Sequence, residues 1–448
     1  MYKSIDRMSY STNVFSTWAS HGTWDALKTW LQSKEGGSLR IVEPKEGDFV
    51  LIRYTKGVSD FTKEHVRWCR SVVFNKNTLL VVSVAPSKAN EISETSTYTV
   101  AEEFVDGTMI NIFRDATLNV VDVATRSRLG GKNQFYTGGP TFRSMLEDTL
   151  KSQTLSMADL LPTATDTNSF VSIVLQHPEN RVVKNVTSSC VFVVHQGTVS
   201  ADNVVTFVES SLSVPDANKL PQYNLEAVLT APNLQQWVID QSKERGYEWQ
   251  GLVLKDGKGG RWRIRSEVYE TVRRLRGNEA SIEERFARLR KMRTLEQYLN
   301  FYSADRQVLY DLEGVFRENT RRLQNLYVST FITRTEPFHE LPWPFKHHVS
   351  VLHNLYKDVL RPHGKKMNME EVVRYANRLD FKDTANLCKK FIASTTKSKL
   401  QLAVPAATTP GAVSDAVPDA IDAEVLDDEA LDAEVPDDEV PDAEASTA

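Results

Sequence analysis

The stretch VAEEFVDGTMINIF, residues 100–113, decides how this chain is read. It predicts a strand, a tight turn ending in Asp106-Gly107, and a second strand. Further strand-like runs lie on either side of it: DFVLIRYT (48–55), SVVFNK (71–76), TLLVVSVAP (78–86) and LNVVDVATRSR (118–128). Gly, Asn, Asp or Pro punctuates these runs, as in an antiparallel sheet. Beyond them, TFRSMLEDTLKSQ (141–153) and NLQQWVIDQSKERGY (233–247) have helical spacing. SFVSIVLQHPENRVVKN (169–185), SCVFVVHQG (189–197), WQGLVLKDG (249–257) and GRWRIRS (260–266) return to strand. Near the start, STWASHGTWDALKTWLQS (16–33) predicts a loop and then a short amphipathic helix with Trp24, Leu27, Trp30 and Leu31 on one stripe.

From about 267 the spacing turns helical and stays so to about 395, interrupted by TEPFHELPWPFKHH (335–348), whose three prolines mark a loop. MNMEEVVRYANRL (367–379) and FKDTANLCKKFI (381–392) read as two short closing helices. The expected architecture is α+β: a mixed, mainly antiparallel domain over 1–268, an all-helical domain over 269–395, and an acidic tail over 396–448. Low hydrophobicity, one-sided charge and recurring proline predict disorder for that tail.

The net charge of −5 conceals a division, because 415–448 holds 14 Asp or Glu and no Lys or Arg, which leaves about +9 on the rest. A basic body points to an anionic partner, and the acidic tail to a protein partner or to competition with that anion. Residues 261–293 carry eleven Arg or Lys against five Glu, a density that suits phosphate backbones, with Trp249, Trp262 and Tyr269 near enough in sequence for base stacking. A solvated helix face with i,i+4 pairs explains the same run without any ligand. Three dispersed cysteines, with no CxxC pair, make neither a disulfide framework nor a zinc site and suit a reducing compartment. No run is long and apolar enough for a signal or a membrane span, so a cytoplasmic protein without membrane contact is expected. His348 and His353 are five apart, off the i,i+4 spacing that would place two imidazoles on one helix face, so no metal is expected there.

Six segments, in order, resemble the T4-type RNA ligase 1 family of covalent nucleotidyltransferases. RWCRSVVF (67–74) resembles an arginine-bearing strand through Arg70, and FVDG (104–107) resembles the KxDG nucleophile motif. TRSRLGG (125–131) resembles a basic segment with Arg126 and Arg128, and IVLQHPENRVV (173–183) a ribose-contacting strand. QGLVLKDG (250–257) and WRIRSEVY (262–269) resemble the metal-phosphate motif and the paired-lysine strand. The resemblance implies a ligase-type nucleotidyltransferase fold over 1–268 and a cleft for ATP, another nucleotide or RNA.

The departures from that pattern share a direction. Phe104 replaces the lysine nucleophile and has no atom able to attack phosphorus. Val174 replaces the ribose-contacting glutamate, and Gln250 the glutamate whose charge a divalent cation favours, so Mg2+ is a poor fit. Arg263 and Arg265 replace the paired lysines and keep the positive charge. The expected protein is a catalytically degenerate RNA ligase-like pseudoenzyme whose cleft binds anions through Arg70, Lys88, Arg126, Arg128, Arg263 and Arg265, with Asp106 and Gly107 at the turn. An active RNA ligase or adenylyltransferase with a displaced lysine is the alternative. Lys88 is one candidate; Lys255 adjoins Asp256 in an expected surface loop and reads as a decoy. A purely structural or regulatory protein is the third reading. It predicts a cleft filled by apolar side chains around Phe104 and Val174. The segments GTMIN, ATRS and LQHPENR are similar to ligase-like proteins of large cytoplasmic DNA viruses, among them iridovirus immediate-early proteins, which implies an infected host cell as the setting.

Overall fold

The strand that opens 100–113 and the strand that closes it do not pair with each other. The computed structural model describes residues 9–388 except 91, 93–95, 163–165, 209–214 and 232; the acidic tail lies outside the described residues. The strands are β1 (Ser9–Thr12), β2 (Arg40–Val42), β3 (Phe49–Arg53), β4 (Val72–Asn75), β5 (Leu80–Val84), β6 (Val100–Glu103) and β7 (Thr108–Asp115). They continue as β8 (Val120–Thr125), β9 (Asn168–Gln176), β10 (Cys190–Val199), β11 (Val205–Val208), β12 (Gly251–Lys255) and β13 (Arg261–Arg265). They form a six-stranded sheet in the order β1-β11-β10-β9-β7-β8, a three-stranded sheet β13-β12-β6 and a four-stranded sheet β2-β3-β4-β5. Every ladder between these strands is antiparallel. β6 and β7 therefore belong to different sheets, and the Phe104–Gly107 corner carries the chain from one to the other.

That corner is held by its own chemistry. Asp106 is buried; its Oδ2 accepts from the backbone N–H groups of Val183 (3.0 Å) and Lys184 (2.8 Å), and its Oδ1 from the Tyr269 hydroxyl (2.7 Å). Gly107 sits at φ +147°, where a Cβ would lie 2.5 Å from the Leu175 carbonyl oxygen, so a larger residue would push the chain off β9.

Side-chain alternation on β9 divides the interior. Val171, Ile173 and Leu175 pack with Phe142, Met145, Leu146 and Leu150 of the helix Phe142–Ser152. On the opposite face Phe170 joins the core under the four-stranded sheet, and Val174 meets Val105 and Val194. β12 alternates in the same way. Leu252 and Leu254 join Trp249, Trp262, Ile264 and Ala101 in one core, which leaves Val253 and Lys255 on the other face.

The helix Trp24–Gln32 starts at Thr23, whose hydroxyl accepts from the Ala26 N–H, and buries Leu27 and Leu31 completely. After Glu267 the chain is helical. The 22-residue helix Arg306–Tyr327 buries Leu309, Leu312, Phe316 and Leu323, one stripe at spacings of three, four and seven. The loop expected over 335–348 ends earlier: the helix Phe345–Leu355 begins directly after Pro344, because a proline before the first turn forfeits no helical hydrogen bond. Asn368 caps the helix Met369–Ala376, and residues 381–388 are helical up to the edge of the described chain. The molecule is thus α+β, with antiparallel sheets and a helical C-terminal region. Among the described residues no helix is long and apolar enough to cross a membrane.

Candidate anion-binding cleft

The candidate cleft is built on the face of β6-β12-β13 opposite Trp262 and Ile264, and at its Lys255–Arg261 end a small pocket separates it from Val194 and His195 of β10. On β13 every second residue is arginine, so Arg261, Arg263 and Arg265 share one face, while Trp262 and Ile264 anchor the strand from behind. Antiparallel pairing sets Glu102 opposite Val253, and the next residue outward on that face is Phe104. Its half-buried ring stands among all three guanidiniums, with centroid distances of 5.8 Å to Arg261, 6.0 Å to Arg263 and 5.3 Å to Arg265. Arg273 arrives from the helix Glu267–Arg276 and shares Glu270 with Arg265, at 3.4 Å and 2.9 Å.

Crowding these cations has an electrostatic consequence. Burial, then Arg265, Arg261, Arg70 and Arg273, pulls Arg263 down to about 8. Burial and Arg261 pull Arg70 to about 9. Burial also lowers Arg261, and neighbouring Glu102 offsets it only in part. A guanidinium stays protonated in proteins, so a downward pull marks a place where burial and neighbouring cations disfavour the positive charge. An anion entering the cluster relieves it.

Behind His195, which lines that pocket, lies a buried polar network. Ser172 Oγ donates to Asn111 Oδ1 (2.6 Å), and Asn111 Nδ2 donates to Ser71 Oγ (3.3 Å). His195 Nε2 lies 3.0 Å from both Ser172 Oγ and the Val84 carbonyl. The Ser172 proton is committed to Asn111 and a carbonyl only accepts, so Nε2 carries the imidazole proton and donates. Burial, then Lys255, holds His195 down to about 3, so the ring is neutral.

The residues read from sequence fall into three groups. Arg263 and Arg265 gather at Phe104, and Arg70 lies near enough to couple to both through space. Arg126 lies over the Tyr54 ring at 5.6 Å, Arg128 is exposed on the turn after β8, and Lys88 Nζ lies 4.9 Å from the Phe61 ring. None of these three is among the guanidiniums at the Phe104 ring. Asp106, Gly107, Val174 and the buried Gln250 form the frame, with the Gln250 carbonyl accepting from Ser266 N–H at the start of the helix Glu267–Arg276. The apolar filling expected of a purely structural protein exists at Val174, where Val105 and Val194 close in, but the surroundings of Phe104 are cationic.

Three members of the cleft were not anticipated. Arg261 and Arg273 complete the cluster, and Lys255 is no surface-loop residue. Lys255 ends β12 with its side chain 15% exposed, its Nζ 2.7 Å from Glu102 and 3.3 Å from the Val194 carbonyl across the cleft. Lys-Asp-Gly looks like a loop in the sequence because the pairing partner that draws Lys255 inward lies on a strand about 150 residues earlier.

Much of the basic run 261–293 is structural. Arg276 and Arg285 are 4% and 3% exposed, packed on Phe135, Tyr136 and Tyr298. His348 Nδ1 meets the Tyr375 hydroxyl at 2.7 Å, and His353 stacks on Phe331. Gln250 presents a neutral amide where Mg2+ prefers carboxylate oxygens, and Glu102 and Glu270 nearby are already paired with Lys255 and with Arg265 and Arg273. Among the described residues, no group of three or more His, Cys, Asp or Glu comes together. The arginines do fit phosphate oxygens, which a guanidinium fork grips in pairs. No family model matches the chain, and no curated protein matches it.

Proposed function

We propose that this protein is a catalytically degenerate RNA ligase-like binding protein, whose cleft on the face of β6-β12-β13 takes the phosphates of a nucleotide or RNA. The observation that carries the reading is the ring of Arg261, Arg263 and Arg265 around Phe104, the position where the KxDG motif would place its lysine. Cations are concentrated there and the side chain at the nucleophile position is inert, which supports binding without lysyl-nucleotide chemistry. The two sheets joined at Asp106-Gly107 are in keeping with a ligase-type nucleotidyltransferase fold. Its action in an infected host cell, through RNA and through a protein partner of the acidic tail, is part of the same proposal and rests on the resemblance of GTMIN, ATRS and LQHPENR alone.

The test is binding of fluorescently labelled single-stranded RNA and of ATP by wild type and by Arg263→Met/Arg265→Met. Affinity should fall with rising salt, and by about tenfold or more in the double variant, as one charge-assisted phosphate contact or more is lost. Equal affinity in both proteins defeats the reading.

Lys255 gives a second reading a specific footing. Its amine lies in the cleft against Glu102, so an active nucleotidyltransferase would use it as the displaced nucleophile. Incubation with labelled ATP or GTP and divalent metal, followed by intact mass, separates the two. An acid-labile, base-stable adduct lost in Lys255→Arg establishes the enzyme; no adduct beside an active ligase control leaves binding.

A further inference from the structure

Phe104 poses a problem that anion binding alone does not solve. Its ring lies within 6.0 Å of three guanidinium carbons, in the middle of the cluster that a phosphate would need to enter. The face of an aromatic ring is its electron-rich side, so the ring does for these cations, weakly, what an anion does strongly. Arg261 is 7% exposed, and its Nε and Nη1 have no hydrogen-bond partner; Arg273 is 4% exposed, and its Nη2 has none. These donors are packed away from water without an acceptor, an arrangement that costs free energy unless something supplies one. The ring cannot accept an ordinary hydrogen bond from several of them at once.

The backbone around Phe104 is fixed, while its side chain is only partly buried. Phe104 N–H donates to the Gly251 carbonyl (2.9 Å), and two residues on, Asp106 is clamped by Val183, Lys184 and Tyr269. The ring itself is only partly buried. Rotation about its side-chain torsions would carry it outward without disturbing either strand.

We infer that the Phe104 ring is the resident stand-in of an oxyanion site, and that a phosphoryl group binds by displacing it. This deepens the binding function proposed above and rests on it. Ligand entry exchanges three cation–π contacts for charge-assisted hydrogen bonds to Arg261, Arg263, Arg265 and Arg273. Affinity is then the difference between the two states, and the ring lowers it. The residue that removes the nucleophile thereby also sets a threshold: compact, multiply charged phosphoryl groups pass it, and singly charged anions do not.

The experiment measures inorganic pyrophosphate, ATP and a 5′-phosphorylated RNA oligonucleotide by calorimetry on wild type, Phe104→Ala, Phe104→Leu and Phe104→Glu, with melting curves for each. Phe104→Ala should bind pyrophosphate about tenfold tighter than wild type. Phe104→Leu keeps most of the volume but lacks the π face, so it should fall between them and supplies the reading if the alanine variant does not fold. Phe104→Glu places a carboxylate among the guanidiniums, so it should melt higher and lose pyrophosphate binding. Equal binding by wild type, alanine and leucine variants overturns the displacement and leaves the binding function standing. No binding of any probe by any variant overturns both. A gain shared by all three probes assigns the site to the phosphoryl group itself, and a gain confined to ATP or to RNA assigns it to that source.

Discussion

Two clusters in this molecule set buried arginines on aromatic rings, and they are electrostatic opposites. In the junction between the helical region and the large sheet, Arg276 donates from Nε to the Arg181 carbonyl (3.1 Å), from Nη1 to the Gly277 carbonyl (3.2 Å) and from Nη2 to the Tyr136 hydroxyl (3.2 Å). Burial pulls its neighbour Arg285 down, but Tyr298, Tyr136 and Asp305 outweigh it, and the guanidinium ends above its usual value. At Phe104, Arg263 and Arg265 end below their usual value, because burial and the neighbouring arginines pull them down and Glu270 offsets this only in part at Arg265. A guanidinium set among carbonyls and tyrosine hydroxyls reads as scaffold. One set among other arginines is what the proposed anion site consists of.

The comparison is broken most severely at Arg276. Replacing it with methionine keeps much of the packing on Phe135 and Tyr136 and leaves the Tyr136 hydroxyl on the Arg181 carbonyl (3.1 Å), but it removes all three guanidinium hydrogen bonds and strands the Gly277 carbonyl. A buried, hydrogen-bonded charge removed in this way costs about 3 kcal/mol. Chemical denaturation of Arg276→Met should show that loss; a change below about 1 kcal/mol would mean that the junction is not held by this residue.

His195 tests the buried polar network. Its folded value of about 3 lies below the ordinary 6.5, so the unfolded chain takes up a proton that the folded chain refuses. Stability is therefore full above about 6.5 and drains as pH falls toward about 3. At pH 5 the loss amounts to ~2 kcal/mol, since lowering the pH by one below 6.5 costs ~1.4 kcal/mol. His195→Gln keeps a donor for the Val84 carbonyl but cannot titrate. Its urea midpoint should change much less between pH 7 and pH 5 than that of wild type. Some slope will remain, because burial also lowers His65 and His348. Parallel slopes in the two proteins would show that His195 is not held neutral.

What the sequence revealed, and what it hid, follows the same division between local and distant pairing. The alternation Arg261-Trp262-Arg263-Ile264-Arg265 announces a strand with one cationic and one apolar face, and the structure has it. The helices Trp24–Gln32 and Phe142–Ser152 are equally legible, since their caps Thr23 and Thr141 and their apolar stripes are local. The fate of VAEEFVDGTMINIF is not. Whether two strands across a turn pair depends on what else competes for their edges, and β12 takes β6 while β9 takes β7. The run of charges at 261–293 misleads for a related reason: Arg273, Arg276 and Arg285 look solvated until the rings and carbonyls they meet arrive from other parts of the chain. A usable signal for Arg273 does exist, in its i,i+3 spacing from Glu270 on a capped helix.

The smallest effect is the sharpest discriminator. Arg261→Met removes a buried charge, only 7% exposed, along with two donors that have no acceptor and the repulsion from Arg265. Against that it gives up one cation–π contact and the attraction of Glu102, which retains Lys255 as a partner at 2.7 Å. Exchanging a poorly balanced buried charge for an apolar side chain is often neutral or stabilising. Arg261→Met should therefore match wild type or exceed it by ~0.5–1 kcal/mol in chloride buffer, the size of a single cation–π contact or an ordinary surface change. Adding pyrophosphate should raise the melting temperature of wild type more than that of the variant and erase the difference, because only the wild-type cluster gains the full benefit of the anion. Should Arg261→Met instead lose as much stability as Arg276→Met, the two clusters would be one kind of structure, and the arginines at Phe104 would be scaffold as well.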